Sequence, residues 1–282
     1  MNKIKIVCDS TTDLNDELKE YLDCLVLPLS VNFDEESYLD GVDITTTELY
    51  DKVSERKKLP KTNAISLGVF IDYFSKLLES GYDIIFMGIS KQMSRTYENA
   101  LLAAKELDES RIKVIDSMNL STGTALLLLK IKKYIDKGYT LDEIEEKINE
   151  DRLKVRSQFA IPTMEYLYKG GRCSSLTSIV ATIAKIKPII LVRNGAMSVG
   201  KKPHGKMKVA LDTLLNMLKE DLDNVSNEDL FITHSLSLDD AKYLEEKVRE
   251  MLPTINIHTT EAGCVISSHC GKGTIGILYM VK

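Results

Sequence analysis

The feature that most constrains this chain is the alternation, through its first half, of short apolar runs with amphipathic stretches of helical period. Lys3 to Cys8 reads as a buried strand ending in the polar run Asp9-Ser10-Thr11-Thr12-Asp13. A second strand signal extends from Leu25 to Phe33, and Thr45 to Thr47 supply a cap for a helix through Val53. Behind Ser66 as N-cap, Leu67, Phe70, Ile71, Phe74 and Leu77 recur at helical spacing, and Gly81 follows as a stop. Tyr82 to Ile89 is a strand, Thr96 to Leu107 a helix, Lys113 to Ile115 a strand, and Ser121 to Asp136 a helix closed by Gly138. Strand followed by helix, repeated, predicts a parallel sheet covered on both faces.

The second half is patterned differently. Leu141 to Val155 is a strongly charged helix suited to bridging two domains, and Ser157 to Ile161 follows as a strand. A helix from Ser175 to Ile186 carries Leu176, Ile179, Val180 and Ile183 on one stripe and is stopped by Lys187-Pro188. Ile189 to Val192 and Met197 to Val199 flank an Arg193-Asn194-Gly195 turn, a hairpin signal. Helices at Lys206 to Leu218 and Leu238 to Met251 and strands near Leu230 to Thr233, Ile255 to Thr259 and Thr274 to Tyr279 complete it. The expected fold class is α/β: an N-terminal domain over residues 1–155 with a parallel sheet flanked by helices, plus a smaller C-terminal α+β domain over 156–282.

Composition narrows the function classes. Lys+Arg 37 against Asp+Glu 42 gives a net charge of −5, which does not favour nucleic acid. No apolar run reaches the ~18 residues that cross a bilayer; Lys130, Lys132 and Lys133 interrupt the richest stretch. The N-terminal run turns polar at Asp9, before a secretory apolar region is complete, so a cytoplasmic protein without a transmembrane segment is expected. Cys8, Cys24, Cys173, Cys264 and Cys270 include no Cys-x-x-Cys and read as free thiols. His204, His234, His258 and His269 lack ligand spacing, so no metal and no cofactor are expected.

In an open parallel sheet, ligands sit beyond the carboxyl ends of the strands. Three polar clusters fall there: Asp9 to Thr12, Ser90 to Thr96, and Asp116-Ser117 with Ser121 to Gly123. Each also satisfies the simpler need of capping a helix. Ser94 precedes a helix whose free N–H groups attract an anion, and Thr62 supplies a second hydroxyl. Phosphate-loop, dinucleotide and nucleophile-elbow motifs are all lacking. His269 falls in Ser267 to Gly273, read as a glycine-rich loop whose imidazole either is incidental or helps hold an anion. Gly170-Gly171 serves as a C-cap and turn from which Arg172 projects, suited to an anion or a partner's carboxylate. Lys201, Lys202, Lys206 and Lys208 around His204 read as a solvated face or a basic patch.

These pieces together resemble a known family. Cys8 to Leu14, Lys61-Thr62-Asn63-Ala64-Ile65-Ser66, Ser90 to Ala100, Lys169-Gly170-Gly171-Arg172, Ile186-Lys187-Pro188-Ile189 and Ser268 to Gly273 occur in the order seen in the DegV family of bacterial fatty-acid-binding proteins, which includes the FakB subunits of fatty acid kinase. The resemblance implies one long-chain fatty acid held between two domains and presented to a partner kinase, which phosphorylates its carboxylate on the way to phospholipid metabolism. It implies Thr62, Ser94, Arg95 (through its backbone N–H) and His269 at the carboxylate, with carboxylate-binding loops in 1–155 and the acyl pocket and head-group histidine in 156–282. Arg172 resembles the arginine associated with docking of the kinase. The chain itself is then a lipid carrier without catalytic residues. Ile179 and Ile183 are candidate acyl contacts, although core packing explains their stripe as well. Arg95 stands where the family usually has glycine, so its side chain either adds a charge-assisted contact or points outward. The competing reading is a serine hydrolase or acyltransferase using Ser94 as nucleophile and His269 as base, with Asp9 or Asp116 as orienting carboxylate.

Overall fold

A computed structural model describes residues 2–172 and 186–282. The first half runs β1 (Lys3–Asp9), α1 (Asp16–Leu22), β2 (Cys24–Leu27), β3 (Ser30–Phe33), β4 (Glu36–Leu39), α2 (Thr46–Arg56), β5 (Lys61–Asn63), α3 (Leu67–Glu79), β6 (Tyr82–Gly88), α4 (Thr96–Leu107), β7 (Ile112–Asp116), α5 (Thr122–Asp136) and α6 (Leu141–Asp151). Strands β2-β1-β6-β7 form an all-parallel sheet. Its side chains alternate between two apolar layers, as strands buried on both faces must. Ile6, Cys8, Ile85 and Met87 meet α1, α5 and α6, while Val7, Ile84 and Phe86 meet α2, α3 and α4. On that second face Phe86 stands edge-on to Phe70, with ring centroids 4.9 Å apart.

The expected strand from Leu25 to Phe33 is two strands in two sheets. Pro28 has no N–H to continue a ladder, and the next amide, Leu29 N, donates instead to Ser10 Oγ at 3.1 Å. After that break β3 leaves the parallel sheet and pairs antiparallel with β4 and β5 in a separate three-stranded sheet. Helix α6 also departs from expectation. It ends at Asp151 and buries Leu141, Ile144 and Ile148 in the α5 layer, so it packs on the first half and does not bridge.

The second half runs β8 (Val155–Ala160), α7 (Glu165–Lys169), β9 (Ile189–Arg193), β10 (Ala196–Val199), α8 (Met207–Asp221), β11 (Val225–His234), α9 (Leu238–Met251), β12 (Asn256–Glu261), α10 (Cys264–Cys270) and β13 (Ile275–Val281). A six-stranded sheet in the order β10-β9-β8-β13-β11-β12 is antiparallel except for the β11–β12 pair. The β9–β10 hairpin turns on Asn194 (φ 52°) and Gly195 (φ 83°), the left-handed pair that a two-residue turn requires. Helices α8 and α9 cover one face of this sheet through Leu211, Leu214, Leu244 and Val248.

The other face is covered by α5. This helix buries nine residues, as a helix apolar on nearly every side must. Leu126 to Leu129 share one apolar cluster with Ile6 and Ile85 of the first sheet and Phe231, Leu278 and Met280 of the second. It is thus a common core layer for both sheets. Leu128 is fully buried there, so Leu128→Ala is expected to cost about 2–5 kcal/mol of unfolding free energy. Urea titration followed by circular dichroism and by tyrosine fluorescence checks this, both probes moving together because the layer is shared.

Candidate functional site

Helix α10 belongs to the second half by sequence and to the first by packing. Gly263 N donates to Asp13 Oδ1 at 2.8 Å and Cys264 N to Asp40 Oδ1 at 2.7 Å, while Thr46 Oγ1 donates to Ala262 O at 2.9 Å. Val265 and Cys264 join the apolar cluster of β3 and α2. This docking sets His269 in the last turn of α10 beside β5. The expected glycine loop around His269 is therefore helical through Cys270, and only Gly271 to Gly273 turn back toward β13. Helix wins because Cys264, Val265, Ser267, Ser268 and Cys270 fill a buried interface, which outweighs the permissiveness of the two glycines.

Thr62 and His269 meet: Thr62 Oγ1 lies 2.8 Å from His269 Nε2. Burial, with the Arg172 guanidinium nearby, lowers the imidazole pKa to about 4, so the ring is neutral at physiological pH. Its Nδ1 is buried without a partner and faces Gly170, where a Cβ would stand 2.3 Å from that nitrogen. An N–H at Nδ1 would be an unpaired buried donor, whereas a proton on Nε2 is donated to Thr62 Oγ1. The Thr62 hydroxyl proton is then turned toward whatever acceptor stands next. Gly170 is required here for space more than for its turn, because any side chain would displace the ring.

Ser94 lies in the tight connection between β6 and α4, where its N–H donates to Ser90 O at 3.2 Å. Its hydroxyl accepts from Thr96 N at 3.2 Å and pairs with Thr96 Oγ1 at 2.9 Å. Arg95 takes φ −78° as the residue before α4, a backbone that needs no glycine, and its side chain is exposed and outside the cavity lining. Arg172 is half-buried and anchored by Nη1 donation to Gly170 O at 2.7 Å. Ile179 and Ile183 lie outside the described residues.

Thr62, Ser94, Arg172 and His269 line one cavity of about 840 Å³, its open mouth included. Leu29, Ile89, Met93, Leu120, Phe159 and Leu278 give it an apolar wall drawn from both halves of the chain. It is mostly apolar with a few convergent polar groups, as small-molecule sites are. The apolar wall residues were not singled out in the sequence, where hydrophobicity was their only local signal.

Ser94 and His269 are not bonded to one another, since Ser94 pairs with Thr96 and His269 with Thr62. The two carboxylates considered as orienting groups are also committed. Asp9 accepts from Ile89 N at 2.9 Å and Thr11 N at 3.0 Å, and Asp116 accepts from Met118 N at 3.1 Å. Among the described residues no group of His, Cys, Asp and Glu side chains is arranged to hold a metal ion, and no helix is long and apolar enough to cross a membrane. Cys8, Cys24, Cys264 and Cys270 are free thiols, and Cys173 lies outside the described residues.

The profile of the family described as "Uncharacterised protein, DegV family" matches residues 3–282. The chain belongs to the DegV family. A DegV domain-containing protein of Clostridium perfringens is 34% identical to it, covering 99% of each chain. Solved structures share the fold. A fatty-acid-binding protein from Thermus thermophilus superimposes with a TM-score of 0.92 at 28% identity, covering 100% of both chains. DegV of Bacillus subtilis, described as a fatty acid binding protein, gives 0.89 at 25%, also over 100% of both. A stearic-acid-binding protein from Eubacterium ventriosum gives 0.88 at 27%, over 100% of this chain and 99% of that one.

Two outcomes are expected of this DegV protein's buried ionisable groups. Because the His269 pKa is lowered to about 4, its ring ¹⁵N and ¹³C shifts should stay flat from pH 8 to ~5.5, whereas a free histidine titrates near ~6.5. Burial raises the Asp9 pKa from 3.8 to about 6. A raised folded pKa stabilises most below the unfolded value, and that contribution is lost as pH rises through the folded one. Relative to Asp9→Asn, the wild type should therefore lose about 2 kcal/mol of unfolding free energy between pH ~4 and ~7, measured by urea titration at each pH.

Proposed function

We propose that the protein binds one long-chain fatty acid in the interhalf cavity, its carboxylate at Thr62 and Ser94, and presents it to a partner fatty acid kinase. The observation that carries this reading is the Thr62–His269 pair opening, with Ser94, into a mostly apolar cavity lined from both halves of the chain. The tail supplies affinity. Each buried methylene is worth about 0.8 kcal/mol, so roughly ten contribute about 8 kcal/mol before association costs. A carboxylate buried without partners would cancel that gain.

The head group is met by a directed relay. His269 Nε2–H donates to Thr62 Oγ1, Thr62 donates to one carboxylate oxygen, and Ser94 with the Arg95 backbone N–H takes the other. His269 thus acts at one remove, orienting the threonine, and its neutrality keeps it from competing for the carboxylate as a counter-ion. The half-buried Arg172 supplies the positive charge at the edge of the cavity, where a partner's phosphoryl donor approaches. In this reading residues 1–155 carry the carboxylate loops, and 156–282 carry the acyl wall and His269. In this reading the phosphoryl transfer belongs to the partner, and the bound carboxylate is itself the acceptor.

The neighbours described as fatty-acid-binding proteins support the ligand class. The kinase rests on the resemblance and on the placement of Arg172. Denaturing extraction and mass spectrometry should find close to one fatty acid per chain, and its absence after lipid loading would sink the proposal. Thr62→Ala and Ser94→Ala should each weaken binding about tenfold or more by isothermal titration, the loss of a hydrogen bond to a charged group costing about 1.5–3 kcal/mol.

A further inference from the structure

We infer that the acyl chain lies along α10, its carboxylate beside His269 and its tail running toward Ala262, and that Ala262 decides how long a chain the cavity admits; this rests on the fatty-acid reading of the cavity. The spacing of the lining residues carries it. Ala262, Val265, Ile266 and His269 all line the cavity, and residues three, four and seven apart fall on one face of a helix. The cavity therefore follows α10 along its length. Its two sides belong to different apolar clusters: Val265 packs with Leu29, whereas Ile266 packs against the cluster of Ile89, Leu120 and Phe159. The seven helical residues of α10, at about 1.5 Å each, span about 10 Å, the reach of roughly eight extended methylenes.

Hydrogen bonds fix the two ends of this track. At the C-terminal end of α10, His269 meets Thr62. At the N-terminal end Gly263 N and Ser121 Oγ share Asp13, and Ala262 N donates to His234 O at 2.8 Å. Ser121, Thr233 and Ala262 are thereby gathered away from the Thr62–His269 pair, and all three line the cavity. The Ser121 proton is committed to Asp13, and Thr233 Oγ1 is already paired with Thr122 and Thr260. A carboxylate placed here would be buried without donors, so the head group is directed to the Thr62 end and the tail to this one. The Ala262 carbonyl accepts from Thr46 Oγ1 at 2.9 Å and Ser267 Oγ at 3.1 Å. With both of its backbone polar groups engaged, Ala262 meets the tail with apolar atoms. Its methyl leaves the tail room to continue, and a larger side chain would stand in its path.

The test is an affinity series of saturated acids from about six to about eighteen carbons on wild type and Ala262→Leu, read by isothermal titration, with thermal melts as the fold control. In the variant the curve should coincide with wild type up to about eight carbons and fall at least tenfold below it at about sixteen. A uniform loss at every length, or none, overturns the inference, because Ala262 then serves packing alone. A second measurement needs no variant. In wild type, a fatty acid with a diazirine near carbon ~9 should photolabel residues 120–122, 233–235 or 262–266, and one with a diazirine near carbon ~3 should label 62–64, 93–95 or 269–270. Labels that exchange ends, or a mid-chain label confined to other segments, overturn it. A wild type that binds no acid of any length defeats the fatty-acid reading itself, an outcome distinct from both.

Discussion

The site depends on one docking event, the seating of the α10 N-terminus against two buried carboxylates of the first half. Asp13 and Asp40 accept the amides of Gly263 and Cys264. Without this contact Thr62 and His269, 207 residues apart in sequence, would not share a hydrogen bond. Both carboxyls are raised above their ordinary pKa by burial, so the contact carries a desolvation cost. That cost is offset by full hydrogen bonding: Ser121 Oγ also donates to Asp13, and Ser10 Oγ to Asp40 at 2.8 Å. Removing either acid would strand these donors in a dry interface, which is worse than never having buried them.

The electrostatics of the site follow from that burial. A histidine near an anion is often thought of as a counter-ion, but desolvation and the neighbouring Arg172 keep His269 uncharged. Its value is then directional: a neutral ring with one proton and one available acceptor fixes the orientation of the Thr62 hydroxyl. Charge is left to Arg172, which is half-buried and held by Gly170 O. Orientation and charge are thereby assigned to separate residues on separate elements, α10 and the turn after α7.

The apolar wall depends on a second constraint, the sharing of α5 by two sheets. Because Leu126 to Leu129 pack on both, the faces that look at one another are held at a fixed spacing, and the cavity is what remains past the N-terminal end of that helix. Leu120 and Ser121, immediately before α5, line it from one side, and Phe159, Gly276 and Leu278 from the other.

Much of the secondary structure was legible in the sequence. Thr96–Leu107 and Leu238–Met251 are helices with the bounds that periodicity gave them. The Asn194-Gly195 hairpin and the Ser66 cap were equally plain, because the period, cap and turn signals that define such elements reside within about ten neighbouring residues. The break at Pro28 was present in the sequence too, but one proline did not reveal that the chain beyond it starts another sheet. Thr62, Ser94, Arg172 and His269 were marked by residue type and position as well as by resemblance, yet their partners were not. Which hydroxyl the imidazole meets and why Gly170 must lack a side chain are decided only when distant segments pack. A local pattern states which side of an element is apolar, and only tertiary contact states what that side touches.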